Sequence, residues 1–251
     1  MQLRDIRTLD GLKARLSVMA PPARHGVMAL DGADMDHALG GGLALGALHV
    51  VEGAGIEAET GAVPAAFLAC LLQRLIRRDK AARPVFWISA STDLYAPGLL
   101  GHGFDPACLI QLCPASDEEA LSAMEMLLRS AAPAAVVSEI GRVGRLAGQR
   151  LQMACLGGGC TGFVLRRWPH GRRAAEEITA AVTRWRLGPA PSARLGRAPG
   201  APRWQVELLY TRAGPPAAWT LEQEDRIDAP YPFRLAAGLA HPASGARRLA
   251  V

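Results

Sequence analysis

Lysine is nearly absent from this sequence: Lys13 and Lys80 are the only two in a chain of 251 residues that carries 28 basic side chains. Positive charge therefore rests almost wholly on arginine. Long apolar runs are absent as well. The stretch from Gly61 to Leu72 is 12 residues long and contains Pro64, short of the roughly 18 that a membrane crossing requires. Arg4, Asp5, Arg7 and Asp10 have no apolar segment behind them, which excludes a secretory signal and makes the cytoplasm the expected compartment. Cysteine is scarce and odd in number, five in all, with Cys70 set among Phe67, Leu71 and Leu72. That excludes a disulfide framework and predicts reduced core thiols. Cys108 with Cys113, and Cys155 with Cys160, are separated by four residues, where zinc knuckles separate their ligands by about two. No G-x-S-x-G elbow and no H-E-x-x-H occurs, so neither of those hydrolase chemistries has an anchor.

What is present is a globular balance, with half the residues apolar and a fifth charged, in a length that suits one large α/β domain or two small ones. The net charge of +5 conceals an asymmetry. Between Gly141 and Arg212 thirteen arginines face three acids, whereas residues 1 to 60 hold five bases and eight acids. A segment that basic, containing Trp168, Trp185 and Trp204, suits either phosphate contact or a solvated arginine-rich face.

Leu3, Ile6, Leu9, Leu12 and Leu16 recur at three- and four-residue spacing, which predicts an amphipathic helix over 2–18 that ends at Pro21-Pro22. After Leu30-Asp31 and Gly40-Gly41-Gly42, the apolar run from Leu45 to Val51 fits a strand buried on both faces. A turn-rich stretch and Pro64 then open a helix to Arg78. The alternation continues with a strand over 84–90, a helix capped by Ser116 and Glu119, a strand over 134–139, a helix over 146–156, a strand over 162–167, a helix over 174–182 and a strand from Thr183 to Leu187. At Trp204 the period becomes two and continues through the turn at Gly214-Pro215-Pro216 to Trp219 and Leu221, the pattern of an antiparallel hairpin. The fold class is α/β, a mostly parallel doubly wound sheet with an antiparallel C-terminal hairpin. The organisation reads as an N-terminal helix and linker over 1–24, a core over 25–223, and a proline-rich tail over 224–251.

In such a sheet the loop after the first core strand is where phosphates dock. Here it reads Gly53-Ala54-Gly55-Ile56-Glu57-Ala58-Glu59-Thr60, against the pattern G-x-x-x-x-G-K-[ST]. Gly53 and Thr60 fit; Ala58 stands for the second glycine and Glu59 for the lysine. Reversing that charge about 4 Å from a phosphate reverses an interaction of order 4 kcal/mol at an effective dielectric near 20. His49, inside a strand, reads as a satisfied core histidine, and Asp34, Asp36 and His37 as a polar turn.

Leu30-Asp31, Ala38-Leu39-Gly40-Gly41-Gly42-Leu43 and Gly46-Ala47-Leu48-His49-Val50-Val51-Glu52-Gly53 together resemble the run that leads into the RecA phosphate loop. The order of segments from about Gly26 to Leu221 is similar to the RecA-like core. Short length, the lost phosphate loop and the proline-rich tail make the chain resemble the ImuA family, bacterial RecA-like accessory factors of damage-induced mutagenesis. The resemblance places Ser91 where RecA proteins carry a catalytic glutamate, and Glu139 where they carry a magnesium-associated aspartate. It implies no ATP hydrolysis, no resident cofactor or metal, and no catalytic residue. Gly53, Gly55, Ala58, Glu59, Thr60, Ser91 and Glu139 form a degenerate nucleotide loop. It implies further a non-catalytic adaptor in SOS-induced translesion synthesis. Its partners would be an ImuB-like inactive Y-family polymerase, an error-prone C-family DNA polymerase within that complex, and RecA. Arg166, Arg167, Trp168, Arg172 and Arg173 stand at the strand end that carries a DNA-contacting loop in RecA-like folds, so weak nucleic-acid contact or an acidic protein face is expected there. The apolar stripe Leu3, Ile6, Leu9, Leu12 and Leu16, with Tyr231 and Phe233 of the tail, is expected to bind a partner or a second copy. An ATP-dependent recombinase-type enzyme, and a SulA-like regulator of cell division or of RecA filaments, remain the alternatives.

Overall fold

The structure, a computed structural model, describes residues 23–31, 33–55, 61–91, 93–167, 180–192, 200–224 and 231–236. The expected helix over 2–18 and most of the one over 174–182 lie outside the described residues. The described chain opens with two-residue strands β1 (Val27–Met28) and β2 (Leu43–Ala44), paired antiparallel around the short helix α1 (Asp34–Ala38). Gly42 closes this excursion at φ +132°, and a Cβ there would lie 2.5 Å from the Met28 carbonyl oxygen, which restricts the position to glycine.

The main sheet begins with β3 (Leu48–Gly53), buried from Leu48 to Glu52 as a continuous apolar run requires. Helix α2 (Ala62–Arg78) follows, with Pro64 in its first turn, where the missing N–H has no intrahelical acceptor to lose. Then come β4 (Val85–Ile88), two 3-10 turns at Ala96–His102 and Pro106–Cys108, β5 (Leu109–Leu112), helix α3 (Asp117–Ser130), β6 (Ala135–Glu139), helix α4 (Arg145–Gly158) and β7 (Thr161–Arg166). The C-terminal strands are β8 (Thr183–Ala190), β9 (Arg203–Thr211), β10 (Ala217–Gln223) and β11 (Phe233–Leu235). Ser116 caps α3 by accepting from the Glu119 amide at 3.2 Å, and the Glu119 carboxylate accepts from the Ala115 amide at 2.9 Å. The capping box thus closes one residue earlier than its ideal form.

Nine strands lie in the order β11-β10-β9-β8-β3-β7-β6-β4-β5. From β8 through β3 to β5 every pairing is parallel; β8 with β9, β9 with β10, and β10 with β11 are antiparallel. The strand alternation sends Val51, Val137, Phe163 and Trp185 against Phe67 and Leu71 of α2. The other face sends Leu48, Val50, Val136 and Val164 against Met124 and Leu128 of α3 and Leu151 and Cys155 of α4. Among the described residues no helix is long and apolar enough to cross a membrane.

The structure corrects three expectations. Phe233, expected as a partner anchor in an irregular tail, is buried in the sheet. Its ring stacks on Phe67 at 4.9 Å between centroids and meets Trp204 edge-on at 5.9 Å. Strand β11 therefore extends the core past residue 224. The thiols are not uniformly buried: Cys70, Cys155 and Cys160 are, whereas Cys113 is exposed. Finally, β5 and the two 3-10 turns fill a stretch for which the sequence pattern predicts no element.

Candidate functional site

Ligands of open α/β sheets sit outside the carboxyl ends of the parallel strands. At the end of β3, Gly53 is half-buried and Gly55 exposed, and the Ala54 amide donates to the Leu187 carbonyl at 2.7 Å, prolonging the pairing with β8. The side chain of Ala54 lies so close to β8 that a Cβ on Gly188 would stand 3.2 Å from its own. Ala58, Glu59 and Thr60 lie outside the described residues.

Glu139 closes β6, where the resemblance places a metal-associated carboxylate. Its Oε1 accepts from the Trp87 indole at 2.6 Å, and its Oε2 accepts from the Ser89 hydroxyl at 2.9 Å and from Arg167 at 2.8 Å. The same guanidinium donates to both oxygens of Asp93, at 2.9 and 2.8 Å. These Arg167 hydrogen bonds, reinforced by the Ser91 hydroxyl, hold the Asp93 carboxyl well below the usual range against the opposing effect of desolvation. Ser91, which the resemblance places at the position of a catalytic glutamate, donates its hydroxyl to Asp93 at 2.7 Å. The residues present do not fit a nucleotide-bound divalent cation: the β6 carboxylate is already neutralised by a side-chain cation of the same chain.

A second link crosses the opposite face of the sheet. Glu52, buried at the end of β3, lies 3.6 Å from Arg166 and 3.2 Å from Arg186, and Arg186 reaches Glu207 at 3.5 Å. Arg166 is 4% exposed and Arg167 22% exposed. Of the group expected to meet nucleic acid or an acidic protein face, these two spend charge on carboxylates of their own chain. Alternation along β7 turns Arg166 inward toward Glu52, and Arg167, the next residue, is drawn to Glu139 and Asp93. Trp168, Arg172 and Arg173, the rest of that group, lie outside the described residues, as do Leu3, Ile6, Leu9, Leu12 and Leu16.

Tyr231 is half-buried and lines a hollow with Arg74, His102 and Gln223. His49 is satisfied as expected: its ring nitrogens pair with the Thr183 hydroxyl at 2.7 Å and the Ala44 carbonyl at 2.8 Å, and burial pushes its pKa down to about 4. Asp36 accepts from the Leu30 amide at 2.7 Å, and no group of three or more metal-ligating side chains occurs among the described residues. Sequence reasoning missed Glu52, Trp87, Ser89, Asp93 and Arg186. The signal that points to Glu52 is a lone acid closing a continuous apolar strand, because such a charge requires a partner.

The sequence is 44% identical over 211 residues to Protein ImuA of Caulobacter vibrioides, in both strain NA1000 / CB15N and strain ATCC 19089, covering 80% of this chain and 84% of that protein. No family model matches the chain. Among solved structures, a KaiC-like protein from the hyperthermophilic archaeon Pyrococcus horikoshii superposes with a TM-score of 0.54 at 14% identity, covering 86% of this chain and all of the other. That likeness is one of fold, and the fold is the RecA-like, mostly parallel sheet with antiparallel C-terminal strands.

Proposed function

The chain belongs to the ImuA family, and from that premise we propose that it serves damage-induced mutagenesis as a non-catalytic assembly factor built on a RecA-like frame. The observation that carries this reading is the link from Glu139 through Arg167 to Asp93. Phosphoryl transfer is almost entirely positioning and charge stabilisation around a metal-bound triphosphate. Here the carboxylate available to the metal is tied to an arginine, and Glu59 stands in the place of the lysine. A subunit without that chemistry acts through what it holds together. The partners that fit are an ImuB-like inactive Y-family polymerase and, within the same complex, an error-prone C-family DNA polymerase, with RecA as a further contact. Weak DNA contact falls to Trp168, Arg172 and Arg173, since Arg166 and Arg167 are committed to carboxylates.

Titration calorimetry of the full chain with magnesium and ATP, together with phosphate release with and without single-stranded DNA, tests the first half. No binding heat and no release above background are expected. Binding at micromolar concentration, or turnover that disappears in Thr60→Ala, overturns the non-catalytic reading. Co-purification of the full chain with ImuB tests the second half, and failure to retain it overturns the assembly reading.

A further inference from the structure

The two edges of the main sheet differ in character. Strand β11, at one edge, is three residues long and carries Arg234, ion-paired to Glu222 of β10. Strand β5, at the other, pairs only with β4 among the described residues. Proteins guard open strand edges with charge, with a bulge or with a covering element. Residues 106–116 contain no charged side chain, and the register of β5 on β4 runs without a shift. The edge is also open: Ile110 is 41% exposed, and Gln111 and Cys113 are exposed beside it.

The direction of its backbone groups follows from the register. The Ser89 amide donates to the Leu112 carbonyl at 3.0 Å, with Ile88 opposite Leu112. In a parallel ladder every second residue turns both backbone groups to a given neighbour, so Leu112 and Ile110 spend theirs on β4. Leu109 and Gln111 turn theirs off the sheet, and Cys113 continues the alternation. Leu112 packs on the α3 side of the sheet and Leu109 on the α2 side, which places Ile110 with Leu112 on the α3 side.

Such an edge is complementary to itself. A second copy turned about a two-fold axis through Gln111 sets Gln111 against Gln111 as a pair that exchanges two N–H···O bonds, and sets Leu109 against Cys113 of the second copy in the same way. Ile110 falls opposite Leu112 of the second copy in the closer, non-hydrogen-bonded position, about 4.5 Å between Cα atoms. Four aliphatic side chains then gather on the α3 side of the joined sheet, with no charge to repel and no outward backbone group left over. We propose that β5 pairs antiparallel with β5 of a second copy across this axis. The proposal rests on the open edge and its register, and stands apart from the proposed function. Pro106 and Pro114 confine the pairing to a few residues, so the interface is small and the dimer forms and dissociates with concentration.

Sedimentation equilibrium of the full chain from about 1 to about 300 µM is expected to show a monomer giving way to a dimer. Amide hydrogen exchange, read by NMR at both ends of that range, locates the interface. The Gln111 amide exchanges at least about tenfold more slowly in the dimer than in the monomer, while the Leu112 amide, bonded to β4, holds constant. Gln111→Pro deletes an outward N–H, the one place where a strand tolerates proline. Ile110→Lys sets a charge opposite Leu112 of the second copy and leaves the backbone alone. Both variants are expected to stay monomeric at about 300 µM, with protection of the Leu112 amide certifying the fold; should Gln111→Pro lose it, Ile110→Lys decides. A monomer throughout the range overturns the proposal. So does a dimer that survives Ile110→Lys, or one in which the Gln111 amide exchanges at the monomer's rate.

Discussion

Arg167→Ala removes a guanidinium that ties β6, β7 and the loop after β4 together. Two ion pairs go at once. The pair with Asp93 is open to solvent, since that side chain is 53% exposed, and an exposed pair is worth about 0–1 kcal/mol. The pair with Glu139 is part-buried, and about 3–5 kcal/mol, the cost of stranding one member of a fully buried pair, is its upper bound. Water that enters where Arg167 stood, and the two hydrogen bonds still donated by Trp87 and Ser89, bring the total to about 2–4 kcal/mol. Glu139→Gln keeps most of the shape of that side chain and removes its charge, so in that background Arg167→Ala costs only about 1 kcal/mol. The double-mutant cycle therefore yields a coupling of about 2 kcal/mol, read from urea unfolding with unchanged m-values. Costs that add to within about 0.5 kcal/mol refute the reasoning and return Arg167 to the phosphate-facing group. Asp93 supplies a second readout. Its folded pKa lies below its unfolded one, so its contribution is present above about pH 4 and is lost as the pH falls, and Arg167→Ala reduces that acid sensitivity, leaving the part due to Ser91.

Phe233→Ala removes a ring stacked on Phe67 and lowers stability by about 3–5 kcal/mol, whereas Leu235→Ala, on the exposed part of β11, costs under about 1 kcal/mol; thermal melts of both variants separate the cases. His49 stays neutral in the folded chain down to about pH 4 while the unfolded chain takes up its proton below about pH 6.5. Stability therefore declines by about 3 kcal/mol between those limits, and His49→Gln flattens that part of the pH profile. Gly158→Ala would place a Cβ 2.0 Å from the Leu128 carbonyl oxygen and destabilises by about 1–3 kcal/mol or more. Gly157→Ala next to it meets open space and stabilises by up to about 1 kcal/mol, as chemical denaturation will register.

Period and punctuation made most of the sheet readable. The Leu45 to Val51 run overlaps β3 from Leu48 onward, and the alternation from Trp204 to Leu221 marks the β9–β10 hairpin, because in both cases burial is written into neighbouring residues. Strand β5 escaped because Leu109-Ile110-Gln111-Leu112 is short and only half-buried at the sheet edge, where few contacts dictate a pattern. Strand β11 escaped because the cause of its burial is distant: Phe233 is held by Phe67 and Trp204, and its local sequence is only proline-flanked turn material. The site divides in the same way. Departures such as Glu59 and Ser91 are read from the sequence and its resemblance, and Glu59 lies outside the described residues. The fate of Arg166 and Arg167 was not legible there, since the partners that bury them stand on β3, β6 and the loop after β4. A cluster of arginines in sequence reads as a basic surface; in space two of its members neutralise acids from three different segments.

The strand order also governs how this protein comes off the ribosome. β3 is the middle of the sheet, yet both strands that flank it, β7 and β8, follow it by more than a hundred residues. At about 5–20 residues per second, the delay between making β3 and making its first neighbour is on the order of ten seconds. For that interval Leu48, Val50 and Val51 offer two unpaired edges to anything nearby, including the β3 of another nascent chain. Soluble yield should then follow growth temperature and chaperone supply more closely than it follows the stability of the finished sheet, and a substitution that spares the native fold can still be lost at this stage.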